Sequence, residues 1–420
     1  MKTLSFIVLL ALIAGILVGA GVRAAENEFL ASAAGVVEAF GGLWLNALRM
    51  TVVPLVVALL ITGVASVADI SKTGGLVARA MLLFSVLIVF AALYGIVAVN
   101  GLLALWPVAP ADAQKFLEGV GAGVAKASEA PSFAAWLQGL APVNPIRAAA
   151  EDAILPLVTF ALFFGFATTQ LEPKLREAIL NFFRAVSEAM IVVVRWVLLA
   201  APLGVFALSL GVGLRAGLGA AGTLAHYVVV VSAITAGSVV LAWLIGVLFS
   251  RQPPARLTGA LAPVWAVSAA TQSSLASLPV MLDACLRALK IPARVADVTL
   301  PLSVAIFRFT SPVANLAVCF FVAHLYGIEP SLLQIVGAVV VAFAVSVGSV
   351  GLPGQVSFIA SIAPICLALG APIEVLGVLL AVEVIPDIFR TLGNTTADVS
   401  ATAILARGEK EEPTLAQERG

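Results

Sequence analysis

The chain has 420 residues, 61% of them hydrophobic and 11% charged, and its acidic and basic residues balance to a net charge of zero. Mean hydropathy is +1.12, more apolar surface than a soluble domain needs, so the composition points to an all-α polytopic membrane protein. Neutrality leaves no basic footprint for nucleic acid. Cys285, Cys319 and Cys366 are far apart in apolar runs and read as small core residues, not as a disulfide framework. His226 and His324 are isolated, which leaves no histidine-based metal cluster. No G-x-S-x-G, H-E-x-x-H or P-loop pattern occurs, so the reading is not an enzyme and no catalytic residue is named.

In chain order, Ser5–Ala20 is a first span, longer than the apolar run of a usual signal peptide. An amphipathic lead-in at Phe29–Phe40 precedes a second span, Leu43–Val67. Leu76–Trp106 is long enough to cross with tilt. Pro107–Pro145, rich in Pro, Gly and Ala, reads as an external loop with short helices. Ala149–Thr169 is a fourth span. Phe182–Gly213 is a fifth, with a kink expected at Ala201–Gly204. Thr223–Ser250 is a sixth.

Beyond Ser250 the pattern changes. Ala260–Leu282 is interrupted by Ser268, Thr271, Gln272, Ser273, Ser274, Ser277 and Pro279. Two half-helices meeting at a polar tip account for this, and such a tip is tolerated only where it lines a cavity. Val298–Ala323 is a span broken by Arg308, Thr310, Ser311 and Pro312. Leu332–Gly348, the tip Ser349–Gly354, and Val356–Leu369 form a second helix–tip–helix. Two interrupted hairpins, each followed by a span with polar residues at its middle, are the signature of inverted repeats in secondary transporters. The expected architecture is therefore about eight transmembrane helices plus two re-entrant helical hairpins. With the N-terminus inside, Lys and Arg concentrate at the cytoplasmic ends, as the positive-inside rule requires. Arg407–Gly420 reads as a disordered cytoplasmic tail.

The last span, AVEVIPDIFRTLGNTTADVSATAI at Ala381–Ile404, carries Glu383, Asp387, Arg390, Thr391, Asn394 and Asp398. On a helix turning about 100° per residue, these six share an arc of roughly 100°. Each charge inside a bilayer costs about 2.5–3.5 kcal/mol on insertion scales, so such a stripe faces a cavity, a partner or an ion. It reads as a binding site; the plainer alternative is a buried ion pair that only joins helices. Glu383 either carries a proton or pairs with a basic group at the helix entrance.

These motifs resemble the dicarboxylate/amino acid:cation symporter family, the glutamate transporter homologues, over nearly the whole chain. FGGLWLNALRMTVVPLVVALLITGVASVADI is similar to the family's second span, APLGVFAL to its fifth, TQSSLASLP and GSVGLPG to its two hairpin tips. The final D-x-x-R-T-x-x-N-x-x-x-D is the most specific. The resemblance implies a glutamate-transporter-like elevator fold and a homotrimer in a cell inner membrane or plasma membrane. Residues 1–75 and 107–222 would form the scaffold with its external loop. Residues 76–106 and 223–406 would form the moving transport domain, and 407–420 the tail.

By the same resemblance, Arg390 takes the substrate's side-chain carboxylate, Thr391 adds a hydroxyl, Asp387 holds the amino group, and Asn394 binds the α-carboxylate. Ser273, Ser274 and the backbone at Ala276 face that carboxylate, as does the second tip at Val350, Gly351, Pro353 and Gly354. Asp398, with Asn394, matches a sodium ligand. No cofactor is implied beyond sodium or a proton as coupling ion. The implied substrate is a small acidic amino acid. A C4-dicarboxylate is the alternative, though it would leave Asp387 uncompensated. A non-transporting sensor or an anion channel is the alternative of another class.

The sequence departs from the family at its seventh span. The family's Asn-Met-Asp-Gly-Thr is replaced here by Phe307, Arg308, Phe309, Thr310 and Ser311, and the matching part of the third span, Phe84–Phe90, keeps one hydroxyl, Ser85. One carboxylate is lost and one guanidinium gained, a change of plus two. Arg308 is expected to stand in for bound sodium by pairing with Asp398 or Asp387, with sodium coupling reduced or absent. The alternative is that Arg308 snorkels into a water-filled crevice.

Overall fold

The computed structural model describes residues 2–70, 75–120, 133–217, 219–348 and 354–407. They form helices α1 (Lys2–Ala24), α2 (Glu28–Arg49), α3 (Val52–Ile70), α4 (Gly75–Leu105), α5 (Pro110–Val120), α6 (Phe133–Gly139), α7 (Pro145–Ala150), α8 (Ile154–Thr168), α9 (Pro173–Leu199) and α10 (Ala201–Ala216). There follow α11 (Gly219–Ser250), α12 (Pro254–Thr271), α13 (Ser274–Asp283) with a π turn at Ala284–Ala288, α14 (Ala293–Ile306), α15 (Thr310–Leu325), α16 (Leu332–Gly348), α17 (Gly354–Leu369), α18 (Leu376–Val382) and α19 (Val384–Leu405). No strand occurs among the described residues.

Among those residues, five helical stretches are long and apolar enough to cross a bilayer, or six when α9 and α10 count as one bent span. Two more passes fit the sequence expectation of eight. One is α8, apolar but only 15 residues, about 22 Å against a hydrocarbon core of about 30 Å. The other is α18–α19, kept out of the apolar class by its charges. The fifth span bends by 58° at Ala200. The expected kink is there because Pro202 has no N–H to continue the ladder. The second span is not one rod either: α2 ends at Arg49 and α3 restarts at Val52, with Pro54 in its first turn.

Helix α1 lies closely along α10, and α2 packs on α10 beside it. Glycines on both helices permit this: a Cβ at Gly19 would lie 2.2 Å from the Leu210 carbonyl, and one at Gly213 2.3 Å from that of Ile16. Small residues let backbones approach in a membrane, where packing replaces the hydrophobic drive. Arg215 ties one end of this group, pairing with Glu38 and donating to the Glu118 and Gly119 carbonyls at 2.7 Å each. Helix α3 packs on α8 and α9.

A second group of helices packs around α19. It is flanked by α11, α12, α14 and α15, and α4 lies along α15. Hairpin α12–α13 turns at Gln272, which is left-handed (φ 52°), and Ser273 caps α13 by accepting from the Ala276 N–H at 3.2 Å. Hairpin α16–α17 packs on α15 on one side and on α3 on the other. Its tip, including Val350, Gly351 and Pro353, lies outside the described residues, and Gly354 opens α17. A salt bridge of 3.1 Å from Arg49 on α2 to Glu374, just before α18, joins the two groups of helices.

Candidate functional site

The final span is not continuous. It breaks between α18 and α19 at Glu383, three residues before Pro386, whose ring disrupts the preceding turn. The break places Glu383 at the head of α19 with its side chain turned inward, only 6% exposed. Its Oε2 accepts a 2.6 Å hydrogen bond from the Tyr227 hydroxyl of α11. Its Oε1 lies 2.5 Å from Nη2 of Arg390, two turns further along α19. Arg390 also donates through Nη1 to Asn315 Oδ1 of α15 at 2.9 Å, and Asn315 in turn donates to Ser311 at 3.2 Å. Glu383 therefore pairs with the stripe's own arginine, not with a base at the helix entrance.

The guanidinium is oriented from two sides yet keeps donors in reserve. Nε has no hydrogen-bond partner among the described residues, and Nη2 meets Glu383 as an ion pair without a well-directed hydrogen bond. A planar fork with free donors suits a carboxylate. One turn before it, Asp387 is half-buried and has no hydrogen bond or ion pair among the described residues; Arg390 and Arg308 are the cations whose charge it feels. The Thr391 hydroxyl donates to the Asp387 carbonyl at 3.1 Å, leaving its lone pairs available.

Asn394 is used structurally as well. Its Oδ1 accepts from the Thr310 N–H at 2.9 Å, and the Thr310 hydroxyl lies within 2.9 Å of that oxygen and 3.0 Å of the Arg390 carbonyl. This caps the start of α15 on α19, where the chain restarts after the break at Phe307–Phe309. Gly393 permits the approach: a Cβ there would lie 2.4 Å from Thr310 Cγ2. The break exists because the Phe307 backbone leaves the helix (φ −96°, ψ 88°).

Asp398 is deeper, 1% exposed, and both carboxylate oxygens are buried without a hydrogen-bond partner among the described residues. Ser303 of α14 faces it, but that hydroxyl donates to the Leu300 carbonyl at 3.0 Å. Arg308 is half-buried and makes no hydrogen bond or ion pair among the described residues. Asp387 and Asp398 are the carboxylates near enough for its charge to reach, and Arg390 is the neighbouring cation. The expected pairing of Arg308 with Asp398 or Asp387 is therefore not made: its guanidinium lies near both carboxylates without closing on either. Beside it, Phe307 stacks on Phe84 of α4 (4.5 Å between ring centres), and Phe309 is fully buried.

The first hairpin tip reaches the same helix. The Gln272 side chain donates to the Val384 carbonyl over 3.5 Å, Ser268 lies 3.1 Å from Thr395, and Trp265 donates to Thr396 at 2.8 Å. Ser273 and Ser274 are half-buried and Ala276 is exposed. Arg390, Asp387, Thr391, Asn394, Asp398 and Arg308 are thereby gathered on and beside α19, with the tip carrying Ser273 and Ser274 alongside. Two residues of the network, Tyr227 and Asn315, escaped the sequence reading. Asn315 carried a signal, an amide alone in the apolar run after Pro312; Tyr227, in an apolar stretch of α11, carried almost none.

The chain matches the sodium:dicarboxylate symporter family over residues 4–408. It is 26% identical to the proton/glutamate-aspartate symporter of Escherichia coli (strain K12), over 99% of this chain and 96% of the relative. It is 27% identical to the proton/sodium-glutamate symport protein of Bacillus caldotenax, over 97% and 94%. It is 29% identical to the neutral amino acid transporter B(0) of Bos taurus, over 96% of this chain and 79% of the relative. With its apolar helices, hairpins and polar-faced last span, the chain belongs to the sodium:dicarboxylate symporter family: it is a multi-pass membrane transporter, not an enzyme.

Proposed function

We propose that the protein is a secondary active transporter of a small acidic amino acid, in which Arg308 takes the place of a bound cation. The observation that carries the reading is the pairing of capacities on α19. Arg390 is anchored by Glu383 and Asn315 with donors free, and Asp387 stands one turn away with no partner of its own. Arg390 takes the distal carboxylate and Asp387 the ammonium, while Asn394 and the first tip at Ser273, Ser274 and Ala276 take the α-carboxylate. A C4-dicarboxylate would leave Asp387 without its cation. The ion pair with Glu383 supports a second reading: with Arg390 already neutralised, a neutral amino acid leaves no charge uncompensated there.

Charge supports weak sodium coupling. With every group ionised, Glu383, Asp387 and Asp398 against Arg308 and Arg390 leave one net negative charge. The family pattern, with Asp for Phe309 and Met for Arg308, would leave three. The tethered guanidinium does the electrostatic service of a bound ion but is not released on the far side. The Phe84–Phe307 stack fills with apolar surface the region from which the family draws ion ligands. Asp398, whose oxygens lack hydrogen-bond partners among the described residues, is the group fitted to a coupling proton or sodium ion as cargo.

In this reading α1–α3 and α8–α10 form a fixed trimeric scaffold. Helix α4 and α11–α19 travel across the membrane as an elevator, gated by α16–α17. A substrate panel tests it: uptake of aspartate, glutamate, succinate and serine into proteoliposomes. Aspartate or glutamate uptake that is lost in Arg390→Ala and in Asp387→Ala is the expected result. Succinate carried in preference, with Asp387→Ala active, would overturn it.

A further inference from the structure

Two of the three cysteines meet inside the bundle. Cys319 on α15 and Cys366 on α17 are both fully buried, and their sulfurs lie 3.0 Å apart. That is closer than unbonded sulfurs ordinarily pack, and only about 1 Å beyond a disulfide bond. The Cys319 thiol also points at the Ile362 carbonyl of α17, at 3.6 Å. Cys285, the third, is buried in the π turn after α13. Cys319 lies one helical turn beyond Asn315, the residue that grips Arg390. The pair therefore joins the second hairpin to the helix that positions the guanidinium.

We propose that Cys319 and Cys366 are a reversible modification site, which a hydroperoxide closes to a disulfide that fastens α17 to α15. The Cys319 sulfur attacks one peroxide oxygen, becoming a sulfenic acid as the O–O bond breaks and water, or the alcohol of an organic peroxide, leaves. The Cys366 sulfur then attacks the sulfenic sulfur, the S–S bond forms and a water leaves. Two electrons pass from the sulfurs to the peroxide, and both thiol protons end on the departing oxygens. A small uncharged peroxide is the oxidant class that enters an apolar interior. Burial slows both thiols, so the site acts as a slow lock. Closure holds the inner arm of the hairpin against the site whatever substrate is carried.

The full-length protein in proteoliposomes tests this with hydrogen peroxide, followed by denaturation, alkylation and peptide mass spectrometry. The expected result is a Cys319–Cys366 linked peptide with Cys285 alkylated, reversed by dithiothreitol. Phenylarsine oxide, which forms two As–S bonds to a close thiol pair and releases water, protects the same two residues. Uptake falls to background on linkage and recovers on reduction, while Cys319→Ala and Cys366→Ala keep their uptake in peroxide. Both cysteines alkylated after oxidation of the folded protein would overturn the proposal, as would a linked protein that transports at the unmodified rate. If no substrate is carried at all, the proposed function fails instead, and the lock is read by hydrogen exchange in residues 354–369. Exchange slows on linkage; unchanged exchange overturns it.

Discussion

Removing one oxygen, in Tyr227→Phe, isolates the support behind the guanidinium. Tyr227 is fully buried, and its hydroxyl gives Glu383 a 2.6 Å hydrogen bond. The ring itself stays packed edge-on against Phe321, 5.2 Å between centres. Glu383 is nearly as buried, so without the hydroxyl its carboxylate depends on Arg390 alone. An arriving ligand acid must then compete with a carboxylate that has no other partner. Hydrogen bonds to charged groups contribute about 1.5–3 kcal/mol. Carried wholly into binding, that is a rise in Kd for an acidic amino acid of roughly tenfold to a hundredfold. Isothermal titration of the purified protein measures it, with Glu383→Gln and the double variant completing a cycle. Tyr227→Phe is expected to cost little once Glu383 is neutral. An unchanged Kd in Tyr227→Phe, or an equal loss in both backgrounds, would refute the reasoning.

Two further substitutions test how the site is built. Gly393→Ala puts a methyl 2.4 Å from Thr310 Cγ2; overpacking of this kind costs about 1–3 kcal/mol. A lower thermal midpoint with weakened substrate binding is expected, and an unaltered midpoint would contradict the close approach of α15 to α19. Asp398→Asn removes a buried charge whose oxygens have no hydrogen-bond partner among the described residues. The thermal midpoint is expected to hold or rise while uptake fails, since a buried charge without close partners stabilises little. A large loss of stability would show that Asp398 is structural.

Much of this was legible in the sequence because membranes penalise exceptions. A charged or hydroxyl-bearing residue in an apolar run is costly there, so α19, the Gln272–Ser273 turn and the break at Phe307–Phe309 stood out by composition. Pro202 announced the bend before α10 in the same way. What stayed hidden depends on pairings across distance. Glu383 could be placed on the right face, but not against Arg390 and Tyr227, because the break at Glu383 and the register of α11 are tertiary matters. Asn315 became meaningful only when α15 was seen to lie beside α19. The contact between Cys319 and Cys366 likewise joins residues 47 apart, which no local pattern encodes.

A fixed guanidinium in the place of a mobile ion would have one signature, transport that does not need sodium. It is tested most directly by uptake of radiolabelled aspartate into proteoliposomes, with sodium replaced by choline on both sides. The wild type is expected to transport equally with and without sodium, and Arg308→Met to lose this sodium-independent uptake. A wild type that carries substrate only when sodium is present would contradict it.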